Sequence, residues 1–508
     1  MNLPLYTIEQ LVLHHKGISA DSRRIKKGDL FVALPPSFQA GRNGGDYILS
    51  AIKNGATGIL TNDKKSVTTL LAQENCDAGV SIIASDQPRR DLSLLLAAQA
   101  GDMPDHLALV TGTNGKSSIV QMARELWQKT GIASASIGTL GVVKGASVEK
   151  KYDDNPIHTT PDPEWLYPAL AKLKQAGINH VAIEASSHGL HQYRLDGVSK
   201  KTTAAAMAEL SQDHLDYHLT IDDYYASKLR LFSEILPRNG RAIFWQDMAV
   251  ADNIANICDK RGLIKTMMCH AKHNNPADKN IAGAILSLMA VSPTADAAQK
   301  VDFIFMEKHY SITIPLAGYF QVENALTALL LVMADNSESE LQKFLPQLAY
   351  LSPIRGRLEK IADNQGAIFF VDYAHTAVAL KTALMTLRPF TKKNLLVVFG
   401  CGGDRDSLKR PKMGQVANHY ADKIIITDDN PRGESPVAIR RSIMASCPKG
   451  IEAEHRQAAI AMAVKMASAG DVVLVAGKGH ETGQMVGDKI LPFDDAVVIR
   501  QEIKQAGV

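Results

Sequence analysis

Short apolar runs alternate with amphipathic stretches along most of the chain, and the runs end repeatedly in glycine or in charged residues. This pattern predicts an α/β protein with buried, largely parallel strands and helices packed on the sheets. The clearest unit opens with an apolar strand ending at Val110. After the turn Gly112-Thr-Asn-Gly115-Lys116-Ser117, a helix is predicted from Ser117 to Thr130, with Ile119, Val120, Ala123, Leu126 and Trp127 on its inner face and Gly131 as its stop. Upstream, the pattern predicts a strand within Gly28–Ala33, a helix near Tyr47–Asn54 and a strand near Gly58–Thr61. Downstream lie a helix from Pro163 to Ala176, started by proline after an Asp162 cap, and strands at His180–Ile183 and Thr203–Met207. Tyr224–Phe232 reads as helical. From Met268 to Asp302 the pattern is more polar and irregular, which predicts loops and edge strands. Leu316–Phe320 leads into a helix that carries Glu323 and Asn324.

Beyond Ser352 four apolar runs each end in a polar or glycine-rich turn. Ile368–Val371 is followed by Asp372-Tyr-Ala-His375, and Leu395–Phe399 by Gly400-Cys-Gly-Gly-Asp404-Arg405-Asp406. Ile424–Thr427 is followed by Asp428-Asp429-Asn430-Pro431-Arg432, and Val472–Ala476 by Gly477-Lys478-Gly479-His480-Glu481. Helical stretches separate the runs, so the sheet should be doubly wound, with any ligand beyond the carboxyl ends of its strands. Three modules follow: residues 1–103, 104–350 and 351–508, with Gly101–Asp105 as the first linker.

The chain has 508 residues, a net charge of +3 and five scattered cysteines without metal-ligand spacing. That charge gives no reason to expect nucleic acid or a membrane surface as partner. The cysteine usage fits a reducing compartment. No apolar run approaches bilayer length; Leu92–Ala100 and Ala325–Ala334 read as core helices. The first residues lack a basic segment followed by an apolar one, so the expected location is cytoplasmic.

The turn at Gly112 carries the first candidate chemistry. A glycine-rich turn between strand and helix lets N–H groups face phosphate oxygens, with Lys116 reaching the terminal phosphates and the Ser117 hydroxyl a magnesium ion. Two residues separate the glycines, where the usual P-loop has four. An ordinary tight turn with a surface lysine is the rival reading, weaker because strand, glycine pair, Lys-Ser and helix come in working order. Glu184, at the end of its strand, is either a magnesium ligand or a solvated terminal carboxylate. Asp213-His214-Leu-Asp216-Tyr-His218 is either a ligand cluster or a solvated helix start. Asp21, Ser22 and Arg23 could contact a ligand or only shape a turn.

Together, Thr111–Ser118, Glu184–Arg194, Leu210–His218, Gly356–Glu359, Asp372–Thr376, Gly400–Asp406, Asp428–Arg432 and Gly477–Glu481 resemble the Mur ligases of peptidoglycan synthesis, in the same order and over essentially the whole chain. The resemblance implies a UDP-sugar-binding domain, a central P-loop-type ATPase domain and a C-terminal Rossmann-like amino-acid-binding domain. Gly112, Thr113, Asn114, Gly115, Lys116, Ser117 and Ser118 would bind the ATP phosphates. Ser117, Glu184 and His214 would hold magnesium, and Lys228 stands where the family carries a carbamylated lysine. Lys116, Glu184, His214 and Lys228 thus form the implied catalytic set. Asn324, Arg357, Asp372 and His375 would close over the nucleotide. Ser22 would contact uridine, while Thr159, Thr160, Ser186, Gln192 and Arg194 would hold a muramoyl-dipeptide. Arg405, Asp429, Asn430, Pro431, Arg432, Gly477 and Glu481 would bind the incoming amino acid.

Family members that add meso-diaminopimelate carry Asp-Asn-Pro-Arg, whose arginine can grip a distal carboxylate bidentately. The implied activity is therefore ATP-dependent amide ligation of meso-diaminopimelate to a UDP-muramoyl-dipeptide through an acyl phosphate. The implied partners are these small molecules, with no nucleic acid, no membrane insertion and a monomeric chain. The chain departs from the family pattern at Glu209, Leu219 and Gln321, where Asn, Gly and Asn are usual, and at Ala377-Val378, where Pro-Asp is usual. A folylpolyglutamate-synthase-like ligase, a catalytically impaired scaffold and a switch NTPase are the alternatives.

Overall fold

The computed structural model of the chain describes residues 7–36, 43–74, 76, 79–145, 147–148, 158–211, 213–214, 217–271, 283–294 and 297–506. It forms two compact units, one made of residues 1–288, 304–308 and 324–347, the other of residues 289–303, 309–323 and 348–508.

The first unit begins with a parallel four-stranded sheet in sequence order, Ile18–Ser19, Leu30–Val32, Gly58–Thr61 and Ser81–Ala84. Gly55, at φ +105, makes the turn before the third strand; a Cβ there would sit 2.7 Å from the Lys27 Cα. A larger sheet follows. Across it run Ile264–His270, Arg241–Trp245, Thr202–Met207, His106–Thr111, His180–Glu184 and Ser134–Gly138, all parallel, with Gly141–Lys144 antiparallel beyond. The registers Met207↔Thr111 and Val110↔Glu184 bring three strand ends side by side. One apolar core runs from Leu30, Leu92 and Leu95 to Leu107, Leu109, Ile183 and Met207, so the sheets share their buried interior.

The predicted helix after Gly115 is Lys116–Lys129, and all five residues assigned to its inner face are buried. The segment from Met268 to Asp302 holds more regular structure than its pattern suggests: the strand Leu286–Pro293 lies inside it and the strand Gln299–Phe305 begins there. Along Leu286–Pro293 three buried residues precede a mostly exposed stretch, so no two-residue alternation marks the strand. Residues 272–282, in the same segment, lie outside the described residues.

The second unit is built on a six-stranded sheet, ordered Glu359–Asn364, Ala367–Asp372, Val472–Ala476, Leu395–Phe399, Lys423–Ile426 and Gly450–Glu452. Its first pair is antiparallel and the rest are parallel. Alternate strand residues feed two cores, Phe370, Val397 and Leu474 on one face, Phe369, Val398 and Val475 on the other. The sheet is therefore wound on both sides, as the near-continuous apolar runs require. The last helix, Asp495–Ala506, is fixed by a fully buried fork. Arg456 Nε and Nη2 donate to the two Asp495 carboxylate oxygens at 2.7 and 2.8 Å, and Nη2 also donates to the Ala476 carbonyl at 2.9 Å.

Candidate functional site

In the first unit the turn after His106–Thr111 is made by Gly112, at φ +146, and Gly115, at φ +87. A Cβ on Gly112 would lie 2.7 Å from the Ala208 Cβ, and one on Gly115 would lie 2.5 Å from Asn324 Oδ1. Only glycine fits both places, which leaves a bare backbone cradle at the start of a 14-residue helix. The loop is laced to the segment after Thr202–Met207. Ala208 N–H donates to the Thr111 carbonyl at 2.7 Å, and Thr113 Oγ1 donates to the Ser211 carbonyl at 2.9 Å. Thr113 Oγ1 also lies 2.8 Å from the Tyr224 hydroxyl.

Two lysines point into this turn. Lys116 Nζ donates to the Gly112 and Thr113 carbonyls at 2.9 and 2.7 Å, and Lys228 Nζ donates to the Gly112 carbonyl at 2.7 Å. Lys228 is buried beside the Tyr224 ring, 4.4 Å from its centroid. Burial, followed by the Lys116 charge, pushes its ammonium down to about 6.

Glu184 is buried at its strand end, not solvated, and accepts Thr139 N–H at 2.9 Å and Thr139 Oγ1–H at 3.2 Å. Its backbone carbonyl accepts Thr160 Oγ1–H at 2.8 Å, and Thr160 Oγ1 also lies 3.0 Å from Ser186 Oγ. Arg194 donates to the Thr160 carbonyl at 2.6 Å and to Gln192 Oε1 at 2.7 Å. Asp162 makes no side-chain cap bond to its helix; its carboxylate lies 3.1 Å from Arg194 instead. Thr159, Thr160, Ser186, Gln192 and Arg194 thus belong to one hydrogen-bonded patch, since Thr139 Oγ1 also reaches Thr159 Oγ1 at 3.2 Å. Ser22 is buried at the start of a 3₁₀ turn after the first strand, with its carbonyl accepting Asn54 Nδ2–H at 2.8 Å, and its neighbours Ser19 and Ala20 donate to the Glu164 carboxylate at 3.0 and 2.7 Å.

His214, at φ +52, lies edge-on to His188 at 4.8 Å between centroids. His218 is buried, and among the described residues its Nε2 has no hydrogen-bond partner. Burial, then the neighbouring histidines, pushes its imidazole down to about 4. Asp216, in the same stretch, lies outside the described residues. Among the described residues no three of His, Cys, Asp or Glu gather as a metal cage. A magnesium ion held largely by nucleotide phosphates and water needs no such cage, so the glycine cradle, the Ser117 hydroxyl and Glu184 fit a magnesium–nucleotide complex.

In the second unit the four predicted charged turns do sit at the carboxyl ends of adjacent strands. Asn430, Glu481 and Lys478 form a closed network. Lys478 Nζ, fully buried, donates to Asn430 Oδ1 at 3.1 Å, Glu481 Oε2 at 2.9 Å and the Gly483 carbonyl at 2.6 Å. Asn430 Nδ2 donates to Glu481 Oε2 at 2.9 Å. The Asp429 carboxylate points at Gly477, where a Cβ would collide with it. Arg432 takes the left-handed conformation at φ +52, pinned by its N–H to the Met485 carbonyl and by Gly487 N–H to its own carbonyl. Its Nη1 donates to the Gly403 carbonyl at 2.9 Å, and the side chain is half-buried. The Pro431 carbonyl leaves no room for a Cβ on Gly403.

Asp372 accepts N–H bonds from Leu358 and Ala374 at 2.7 and 2.8 Å, while burial raises its carboxyl. Arg357 lies over the Tyr373 ring at 5.0 Å, and His375 Nδ1 is 2.9 Å from the Tyr373 carbonyl. Gln321 Nε2 donates to the Arg357 carbonyl at 3.2 Å. Arg405 is exposed and joins none of these groups among the described residues. Sequence reasoning passed over Lys478, Thr139 and Tyr224. The lysine's place inside Gly-Lys-Gly-His-Glu was the available signal; the other two carry none.

A glycine cradle with two lysines in one unit, and a doubly wound sheet with charged strand ends in the other, define an α/β protein of the P-loop-like and Rossmann-like kind. A model of the Mur ligase middle domain matches residues 110–332, and one of the Mur ligase, glutamate ligase domain matches residues 356–479. The chain is 41% identical over 479 residues to the UDP-N-acetylmuramoyl-L-alanyl-D-glutamate–2,6-diaminopimelate ligase of Bradyrhizobium diazoefficiens, covering 94% of this chain and 93% of that one. The enzyme of the same name from Zymomonas mobilis is 40% identical over 493 residues, covering 96% and 94%. A solved structure titled as that same ligase matches with a TM-score of 0.71 at 30% identity, over 97% of this chain and 96% of the other. A folylpolyglutamate synthase from Thermotoga maritima shares the fold alone, at 14% identity and a TM-score of 0.58 over 82% of this chain and 93% of that one. This chain belongs to the Mur ligase family.

Proposed function

We propose that the chain is an ATP-dependent ligase that joins meso-2,6-diaminopimelate to UDP-N-acetylmuramoyl-L-alanyl-D-glutamate. The single observation that carries this reading is the near-full-length identity with ligases of that name. The folylpolyglutamate reading has only a shared fold behind it.

In this reading residues 1–103 hold the UDP-sugar, residues 104–350 the ATP and residues 351–508 the amino acid. The γ-carboxylate of the D-glutamyl residue attacks the γ-phosphate of ATP and forms an acyl phosphate and ADP. The amine of diaminopimelate then attacks the acyl carbon, and phosphate leaves. Within Gly112–Ser118 the N–H groups from Gly115 onward face the phosphates, since those of Thr113 and Asn114 donate to the Glu209 carbonyl, and Lys116 shifts from loop carbonyls to the charge that builds on the transferring group. Magnesium, when bound, neutralises phosphate charge, with Ser117, Glu184 and His214 available to it. A Lys228 amine held near neutrality is suited to take up carbon dioxide as a carbamate, whose oxygens suit a hard cation. The patch from Thr159 to Arg194 presents hydroxyl, amide and guanidinium donors to the dipeptide. Arg432 is assigned to the distal carboxylate together with Asn430, and Glu481 to the ammonium beside it. ADP release in the presence of the UDP-muramoyl-dipeptide, with diaminopimelate or L-lysine as acceptor, tests the reading. Release that depends on diaminopimelate supports it; release with neither, or equally with both, removes it.

A further inference from the structure

Glu209 makes three contacts with the first half of the glycine turn. Its carbonyl accepts Thr113 N–H at 2.7 Å and Asn114 N–H at 3.3 Å, and its carboxylate Oε2 accepts Asn114 Nδ2–H at 2.7 Å. The side chain is exposed; the Lys228 ammonium feels its charge but donates to the Gly112 carbonyl. The two lysines of the turn donate to the Gly112 and Thr113 carbonyls. A negative charge is therefore fixed on the rim of the phosphate cradle by the loop itself. The same contacts occupy two loop N–H groups, which leaves Gly115 and the first helical residues as the electropositive end.

We propose that Glu209 is a charge filter at the nucleotide site, disfavouring the metal-free triphosphate and admitting its magnesium complex. The inference rests on the reading of the cradle as an ATP site. Metal-free ATP carries roughly four negative charges near neutral pH and its magnesium complex roughly two, so a fixed carboxylate repels the free form more strongly. Selectivity here comes from a repulsive element, which the magnesium charge in the complex offsets. Because the carboxylate is exposed, its effect is screened by salt.

Titration calorimetry with ATP, once in chelator and once in excess magnesium, tests this on the wild-type chain and on Glu209→Gln. Glutamine can still accept from Asn114, so the loop keeps its tie while losing the charge. Glu209→Asn serves as a second variant, and melting curves establish that each is folded. Metal-free ATP is expected to tighten about tenfold in both variants, and the magnesium complex by less than about threefold. The gain should shrink in about 0.5 M salt. Unchanged metal-free affinity in folded variants, or an equal gain with and without magnesium, overturns the filter. A wild-type chain that binds neither form overturns the phosphate reading itself.

Discussion

Lysines reach the turns at the strand ends of both units, and their partners differ. In the first unit Lys116 and Lys228 donate to backbone carbonyls of the glycine turn, which carry no formal charge. In the second unit Lys478 is neutralised by the Glu481 carboxylate and further held by Asn430 and the Gly483 carbonyl. An ammonium resting on carbonyls can be drawn to an arriving anion at small cost. One buried against a carboxylate is a strut, and removing it leaves a charge uncompensated. In the proposed reading the same residue type thus serves chemistry in one unit and architecture in the other.

The largest effect that would break this contrast concerns Lys116. Lys116→Ala should lower turnover by about a thousandfold or more while the melting temperature stays near that of the wild type. A folded variant with near-normal ADP release would show that the cradle is not where phosphate is transferred. Lys478→Met should do the opposite in kind and cost about 3 kcal/mol of stability in denaturant unfolding, because Glu481 and Asn430 lose their common partner. An unfolding midpoint equal to the wild type would deny Lys478 its role as a strut.

Arg432→Ala sharpens the comparison within the second unit. It should reduce kcat/KM for diaminopimelate about a hundredfold and for L-lysine by less than about threefold, since lysine has no distal carboxylate. Equal losses for the two amino acids would reduce Arg432 to a brace for the turn at Gly403.

The smallest effect compares one histidine from each unit. His218 Nε2 and His480 Nδ1 are both buried without partners among the described residues, and burial brings both imidazoles down to about 4 from an ordinary 6.5. Between those values the unfolded chain binds more protons, so stability is present above pH 6.5 and drains away as pH falls towards 4. His218→Phe and His480→Phe should each recover about 1–2 kcal/mol of that loss near pH 4.5. Melting curves whose pH dependence matches the wild type would mean that neither ring is neutral in the folded state.

The sequence pattern disclosed the parts that depend on backbone. The Gly112 turn, the helix after it and the four strand ends of the second unit follow from glycine placement and apolar runs, which act locally. The strand Leu286–Pro293 was not legible, because its burial follows its neighbours and not a period of two. Asp162 had the chemistry of a cap, yet Arg194, distant in sequence, claims its carboxylate. Glu184 could be read either way until Thr139 supplied two donors to it. Lys478 lay in plain view within a glycine-rich turn, but its meaning depends on Asn430, which sits 48 residues earlier.

The fork between Arg456 and Asp495 has a consequence for how the second unit comes into being. Arg456 lies 39 residues before its counter-ion, and its guanidinium also holds the Ala476 carbonyl, next to Gly477. A chain broken off ahead of Asp495 would leave a cation stranded in the interior and the strand end beside Gly477 unsupported. Burial of this guanidinium during synthesis therefore waits for the final helix to emerge. A nascent or clipped polypeptide would carry a nearly complete second unit that nonetheless cannot close.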